Sequence, residues 1–371
     1  MVEKEKISYT QFIILIIMFI LGTANLITPS LIVSQAKQDA WLSILFGIGI
    51  ALLLAWLYST LAERYKNMTI IEYSQRILGK WLGWSLSFLY CLYFLILTAG
   101  LLHIVGDFIT THVLTETPFI AIQITFIMII IFAVRLGLET FARTFEMLFP
   151  YVILFFIVLM LCLIPQIKLE NVLPVLEHGV NPVLRGTIRL LGVPYLDVVI
   201  FLMIAPNVNH PKKVRKSLVI AILIGGIILL LVTLLSILVL GSGLTSVFYY
   251  PTYDLAQRID IGHFIKRIEI FSGGIIFLTA FAKITISFYA LVVSLAQTFS
   301  LKNYQFLTLP IGMITVSLSL IMFPNIVFFN LFMMKPWTPF MLIFGLLFPL
   351  ILLTVDLIKG IFLKNTKPRG R

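Results

Sequence analysis

The sequence contains few charged residues. Asp, Glu, Lys and Arg make up 12% of its 371 residues, which is about half of the share typical of soluble domains. Hydrophobic residues make up 60%, and the mean hydropathy is +1.07. A soluble protein needs a polar surface, and this chain has too few polar side chains to cover one. The composition therefore predicts an all-α integral membrane protein with several transmembrane helices.

Cysteines and catalytic motifs are also scarce. The two cysteines, Cys91 and Cys162, both lie in apolar segments, which excludes a disulfide framework and a cysteine-rich metal site. No Walker, HExxH, GxSxG or CxxC pattern is present. We therefore expect neither an enzyme nor a bound cofactor or metal. The first apolar run is too long for the core of a cleaved signal peptide, and no small-residue cleavage site follows it.

What the sequence does contain is a series of long apolar runs. Ten of them approach or exceed the length of about 20 residues that crosses a bilayer. They lie at 10–34, 40–62, 82–106, 117–135, 144–164, 186–206, 214–240, 267–298, 306–328 and 336–362. The segment 69–80 mixes apolar and charged residues at helical spacing and predicts a short interfacial helix. The distribution of Lys and Arg among the loops predicts that both termini are cytoplasmic, so the net charge of +11 reflects membrane orientation.

Two of the predicted helices are interrupted at matching places. The first contains 21-LGTANLITP-29 and the sixth contains 191-LGVPYLDVV-199, each with a Gly and a Pro that weaken helical hydrogen bonding. Each is the first helix of a five-helix half, about 10–164 and about 186–362, within a single transmembrane domain, 1–371. Such paired breaks are typical of transporters built from two inverted repeats, whose binding site lies where the breaks meet. A simple kink is the alternative for either segment.

One lysine lies near the centre of an otherwise uncharged span. Lys283 is the single charged residue of 274-GIIFLTAFAKITISFYALVV-293, and its side chain is too short to reach either membrane surface. A lysine made neutral by burial is one interpretation, and a structural strut between helices is another. Asp197, just after the second break, either caps the local backbone, pairs with Lys283 or binds a ligand amine.

Eight short motifs follow one another along nearly the whole chain. They are 21-LGTANLITP-29, 78-LGKW-81, 137-GLETFAR-143, 173-LPVLEHG-179, 196-LDVVIFL-202, 212-KKVRK-216, 267-RIEIF-271 and 281-FAKITISFY-289. In their order and spacing the chain resembles the B subunits of spore germinant receptors, members of the amino acid–polyamine–organocation transporter superfamily. The resemblance implies a ten-helix, LeuT-like fold of two inverted five-helix repeats in the spore inner membrane. It also implies a complex with an A subunit and a lipoprotein C subunit that senses a small nutrient, often an amino acid.

The resemblance further implies a ligand site around the two breaks. The residues carried over by position are Gly22, Thr23, Ala24, Asn25, Tyr93, Leu97, Pro194, Tyr195, Lys283 and Leu342. Where a well-known amino-acid-sensing member has a threonine, this chain has Lys283. In sodium-coupled relatives a cation bridges the first break to the eighth helix. We therefore expect the Lys283 ammonium to replace that ion, to donate to carbonyls near Gly22–Asn25 and to have Asp197 as its counter-charge.

Two functions from different classes use the same predicted site. The leading hypothesis is a nutrient-sensing receptor subunit, in which a small ligand shifts a helix bundle between two states. The alternative is a secondary amino acid transporter, proton- or ion-coupled, that works by alternating access. A third hypothesis is a scaffold or conduit within the receptor that has a vestigial site. Membrane lipid and the A and C subunits are expected partners, and nucleic acid is not.

Overall fold

The computed structural model describes residues 5–257 and 269–365, and these residues are almost entirely helical. The α-helices are α1 (Tyr9–Leu21), α2 (Ala24–Ala36), α3 (Ala40–Arg64), α4 (Ile70–Leu78), α5 (Lys80–His112), α6 (Phe119–Arg135), α7 (Leu138–Leu163), α8 (Val180–Leu190), α9 (Val214–Val247), α10 (Pro251–Gln257), α11 (Glu269–Thr298), α12 (Thr308–Met322), α13 (Ile326–Met334), α14 (Trp337–Leu342) and α15 (Phe348–Asn365). Within the described ranges, β-type pairing is limited to one isolated bridge between Ile7 and Val208. The all-α prediction is confirmed, whereas the predicted start of the eighth span at 267 lies outside the described residues.

The helices are long and apolar enough for a protein that spans a membrane many times. Among the described residues, eight helical stretches meet the length and hydropathy of a membrane span. One of these stretches joins α2 to α3 through the short 3-10 turn Lys37–Asp39. The helices α1 and α6 are apolar but shorter. The chain is therefore an integral membrane protein, and the count of ten crossings stays a prediction.

The ninth predicted span is wrong at its end. It was expected at 306–328, but α12 stops at Met322 and a separate short helix, α13, follows. Asn325 starts α13 because its side-chain oxygen accepts a hydrogen bond from the backbone N–H of Phe328 at 2.9 Å. Pro324 disfavours a helical conformation for the residue before it, which helps to end α12.

A short helix within the predicted segment 69–80 is confirmed as α4, and its position at the membrane interface stays a prediction. The backbone N–H of Thr69 donates to the carboxylate of Glu72 at 2.9 Å, and the Glu72 N–H donates to the Thr69 hydroxyl at 3.4 Å. This reciprocal pair is a capping box, which fixes the start of the helix. Along its length α4 packs against α5 and α15.

The broken segments and α11 form the centre of the bundle. In the most apolar 18-residue part of Val180–Met203, and likewise of α11, 83% is buried inside the protein. The corresponding share for Leu138–Gln166 is only 17%. The helix α1 contacts α7, α9 and α11, while α5 packs along α11 and α12. Unpaired backbone groups at the breaks are thus surrounded by protein rather than by lipid, as a membrane-embedded break requires.

Candidate functional site

The first predicted break is present between α1 and α2. The helix α1 ends just before Gly22, and α2 begins at Ala24. Hydroxyl groups of other helices bond the carbonyls around the break. The Thr279 hydroxyl shares its proton between the Ile275 carbonyl of its own helix at 2.7 Å and the Gly22 carbonyl at 3.3 Å, and Thr252 Oγ1 donates to the Asn25 carbonyl at 2.6 Å. These bonds attach the first break to α11 and α10.

The second predicted break is present as well and changes the helix over a longer stretch. After α8, the residues Leu191–Tyr195 form a π turn, and Leu196–Met203 continue as a 3-10 helix. Val193 lies in an extended conformation, with φ −150° and ψ 108°. The indole Nε1 of Trp337 donates to the carbonyl of Gly192 at 3.0 Å. The start of α14 thus supplies a hydrogen bond that the broken helix lacks.

A buried ion pair joins α11 to the segment after the second break. The lysine side chain of this pair passes next to Gly22 in the first break. Lys283 Nζ lies 3.1 Å from Asp197 Oδ2, and each side chain is 1% exposed. The ammonium also lies 4.8 Å from the centre of the Phe19 ring, within the range of a cation–π interaction. A Cβ atom built on Gly22 would lie 2.5 Å from Cδ of Lys283. A glycine at position 22 therefore leaves the room that the lysine stem needs to reach Asp197.

The predicted hydrogen bonds from Lys283 to the first-break carbonyls are not formed. Among the described residues, Nζ donates to Asp197, and the Gly22 carbonyl accepts from Thr279 instead. A carboxylate carries a full charge, so it compensates a buried ammonium better than neutral carbonyl groups do. That prediction is wrong, although the structure brings the two predicted charges into contact.

A small cavity lies beside the ion pair. Its volume is about 20 Å³, which is room for about one water molecule. Four of the predicted site residues line it: Thr23, Leu97, Asp197 and Lys283. Asp197 Oδ1 is buried and has no hydrogen-bond partner among the described residues. Within the same part of the chain, no three His, Cys, Asp or Glu side chains converge on a possible metal position.

The other predicted contacts are not part of this cavity wall. They are Gly22, Ala24, Asn25, Tyr93, Pro194, Tyr195 and Leu342. The ring of Tyr93 stacks on Phe344, with centroids 4.9 Å apart. Asn25 lines a different cavity, also of about 20 Å³, on the side of α7 and α10. The Tyr195 hydroxyl points towards α9, because a Cβ on Gly226 would lie 2.9 Å from it.

Four aromatic residues and one methionine late in the chain complete the cavity wall, and the sequence reasoning missed them. They come from the turn before α13, from α13 itself and from the start of α14: Phe323, Phe329, Phe332, Met333 and Trp337. The Pro324–Asn325 pair is a helix-start signal that would have revealed α13. Thr279 was missed too, although it lies four residues before Lys283 and hence on the same face of α11.

The chain is similar to known spore germination proteins. A family model described as spore germination protein matches residues 6–327. Spore germination protein KB of Bacillus subtilis (strain 168) is 35% identical over 326 residues, which cover 87% of each chain.

Two solved structures share the fold at low sequence identity. The first is Mhp1, a nucleobase–cation-symport-1 family transporter closed with bromovinylhydantoin bound, with a TM-score of 0.66 and 14% identity over 91% of this chain and 78% of that one. The second is MhsT in complex with L-phenylalanine, with a TM-score of 0.64 and 16% identity over 96% of this chain and 99% of that one. These findings agree with the two broken helices, and the chain therefore belongs to the spore germination protein family and has a LeuT-like fold.

Proposed function

We propose that this chain is the nutrient-sensing membrane subunit of a spore germinant receptor. It binds a small amino acid between the two broken helices, and binding triggers germination. The observation that carries the proposal is the buried Lys283–Asp197 pair, which lines a cavity at the meeting point of the breaks. Buried charges within a membrane protein are costly and for that reason mark functional sites.

The charges of the pair suit a zwitterionic ligand. The ammonium of Lys283 has three N–H donors, and one of them is directed at Asp197 Oδ2. Asp197 Oδ1 has no hydrogen-bond partner among the described residues. A ligand carboxylate is complementary to Lys283, and a ligand ammonium is complementary to Asp197 Oδ1. The similarity to MhsT bound to L-phenylalanine also supports an amino acid.

Ligand binding requires a second conformation. A cavity of about 20 Å³ is far smaller than the roughly 300–1,000 Å³ of typical small-molecule sites. The walls must therefore move apart before an amino acid enters. A ligand shifts the balance between the closed and open states only by the difference in its affinity for them. The same change of shape is the signal that partner subunits receive.

The family relationship supports a specific setting for this subunit. We place the chain in the spore inner membrane, with an A subunit and a lipoprotein C subunit as partners and both termini in the cytoplasm. The basic motif 212-KKVRK-216, in the turn before α9 and in its first residues, supports that orientation. In this setting the chain is not an enzyme, because binding alone carries the signal.

A secondary amino acid transporter, proton- or ion-coupled, is the second candidate. The structural similarity to Mhp1 favours it. A transporter and a sensor need the same cavity, but only the transporter must open it to both sides of the membrane in turn.

Spores in which this chain belongs to the single germinant receptor test the proposal. We expect at least one member of a panel of L-amino acids to start germination, and we expect the Lys283→Met variant to lose that response at normal protein level. A panel without any response contradicts the sensing function. Uptake of the effective amino acid by the purified chain in liposomes supports the transporter instead.

A further inference from the structure

The cavity beside the ion pair, which we call the inner cavity, is next to a second, larger cavity, which we call the outer cavity. This outer cavity has a volume of about 130 Å³ and lies between α2, residues 246–249 at and just after the end of α9, and α13. The inner cavity lies against the neighbouring face of α13, where Phe329, Phe332 and Met333 line it. One residue, Met333, lines both of them. The Met333 side chain therefore lies at the boundary between the ion-pair cavity and the outer one.

The helix α13 has a buried and an exposed face. Phe329 is 2% exposed and Met333, one turn later, is 8% exposed, and both point into the inner cavity wall. On the opposite face, Phe328 and Leu331 are 49% and 50% exposed. The side chains that close the inner cavity thus belong to one stripe of a nine-residue helix.

The ends of α13 are attached, while its middle is held by side-chain packing. At its start, the Tyr249 hydroxyl donates to the carbonyl of Ile326 at 3.0 Å. Beyond its end, Trp337 is bonded to Gly192. In between, Phe329 packs against the ring of Phe323 with centroids 5.0 Å apart. The outer cavity, of about 130 Å³, offers space next to Met333 into which this side chain can move.

We propose that α13 is a lid over the ligand cavity and that Met333 is the gate between the two cavities. The inference rests on the proposed function for the identity of the ligand, but not for the movement of the lid. Displacement of Met333 towards the outer cavity joins the two spaces and enlarges the ligand site. The size of residue 333 then sets which amino acids enter, because methionine is flexible and fills irregular space that a smaller side chain leaves open.

Thiol labelling tests the lid without any nutrient. A cysteine introduced by Ile104→Cys, which lines the inner cavity, is placed in the full chain with Cys91→Ser and Cys162→Ser and purified in detergent. The probe is a methanethiosulfonate that carries a trimethylammonium group. We expect Met333→Ala to raise the labelling rate by about tenfold, because the loss of buried packing favours the open lid. We expect Met333→Trp to lower the rate by a similar factor.

Met334→Ala is the matched control, because Met334 lines the outer cavity but not the inner one. Its labelling rate should equal that of the parent. Equal rates in the Met333→Ala, Met333→Trp and Met334→Ala proteins, each eluting as a single folded species, overturn the lid. A Trp variant that does not fold leaves the comparison of the two alanine variants decisive.

Spore germination by L-alanine, L-valine and L-phenylalanine tests the selectivity. In the Met333→Ala strain the response should shift towards the larger amino acids relative to the parent, and in the Met334→Ala strain it should not. An unchanged order of response in the Met333→Ala strain overturns the gate. A parent strain that responds to no amino acid contradicts the proposed function, while the labelling rates still decide whether the lid exists.

Discussion

Lys283 Nζ lies 3.1 Å from Asp197 Oδ2 in the interior of the helix bundle, and both side chains are almost fully buried. The two residues belong to α11 and to the 3-10 segment after the second break, 86 positions apart in the sequence. Their contact fastens these two elements together next to the first break. The removal of either partner leaves an uncompensated charge in a low-dielectric site, which is far more costly than the removal of both.

The Lys283→Met variant should therefore lose about 3–5 kcal/mol of stability and with it the nutrient response. The double variant Lys283→Met/Asp197→Leu removes both charges, so it should regain most of the thermal stability but not the response. Thermal unfolding of the purified proteins in detergent and germination of the matching spores measure the two effects.

Lys335→Met is the control for a loss of lysine, because Lys335 is exposed. It should unfold at the temperature of the parent. Normal germination by Lys283→Met spores at normal protein level would refute a functional role for the pair.

The Gly22→Ala variant should disturb the same pair through steric crowding alone. The new Cβ would lie 2.5 Å from Cδ and 2.8 Å from Cβ of Lys283, so the lysine stem must shift. Overpacking of this kind costs about 1–3 kcal/mol. We expect a lower unfolding temperature and a weaker nutrient response.

Gly49→Ala in α3 is the matched control for Gly22→Ala. No atom lies within 4 Å of a Cβ built on Gly49, and alanine favours a helix over glycine by about 1 kcal/mol. This variant should be as stable as the parent or slightly more so. Equal unfolding temperatures for the two alanine variants contradict the close approach of Lys283 to Gly22.

Two tyrosines stabilise an irregular turn in the last transmembrane segment. Residues Ile343–Leu347 between α14 and α15 form a π turn. The hydroxyl of Tyr58 donates to the Gly345 carbonyl at 2.6 Å, and that of Tyr90 donates to the Phe344 carbonyl at 3.0 Å. Tyr→Phe at either position leaves a buried carbonyl with one bond fewer, so each variant should lose about 1–3 kcal/mol.

Thermal unfolding of Tyr58→Phe and Tyr90→Phe checks this expectation against Tyr151→Phe. Tyr151 is 55% exposed, and its hydroxyl is expected to contribute little. The idea fails if the three variants unfold at the same temperature.

The first described residues attach α1 to other parts of the bundle. In the segment 5–7, the Ile7 N–H donates to the Asn207 carbonyl at 2.9 Å. The Glu5 carboxylate accepts hydrogen bonds from the backbone N–H groups of Leu138 and Glu139 at the start of α7. A negative charge there stabilises the N-terminal end of a helix.

The Glu5→Gln variant should therefore loosen the start of α7. Glutamine keeps an oxygen acceptor but removes the negative charge, whose interaction with the helix end is worth about 0.3–1 kcal/mol, and amide hydrogen exchange at residues 138 and 139 should become faster by a corresponding factor. Glu116→Gln, at an exposed carboxylate, is the control and should leave the exchange unchanged. Unaltered exchange in Glu5→Gln would mean that the carboxylate does not hold the helix.

The breaks and the all-helical fold could be predicted from the sequence because they depend on local chemistry. Gly22 and Pro194 disturb hydrogen bonds within their own turn, whatever packs around them. The partner of Lys283 could not be chosen in the same way. Asp197 was able to cap, to pair or to bind ligand, and its distance to α11 depends on how the helices pack.

The residues that line the cavity could not be predicted from the sequence for the same reason. Gly22 was expected to contact the ligand, but it makes room for the stem of Lys283. Tyr195 follows the break in sequence, yet its hydroxyl points towards α9. Met333 reaches the cavity only because α12 ends early and α13 turns back over it, and no residue near the breaks indicates that path.

The bridge between Ile7 and Val208 ties the two interrupted segments to each other. It joins the stretch just before the first broken helix to the stretch that follows the second. Because it is made of backbone N–H and carbonyl groups, it does not depend on the side chains at these positions. We expect a change of shape that admits a ligand to keep these two ends together and to be larger elsewhere in the bundle.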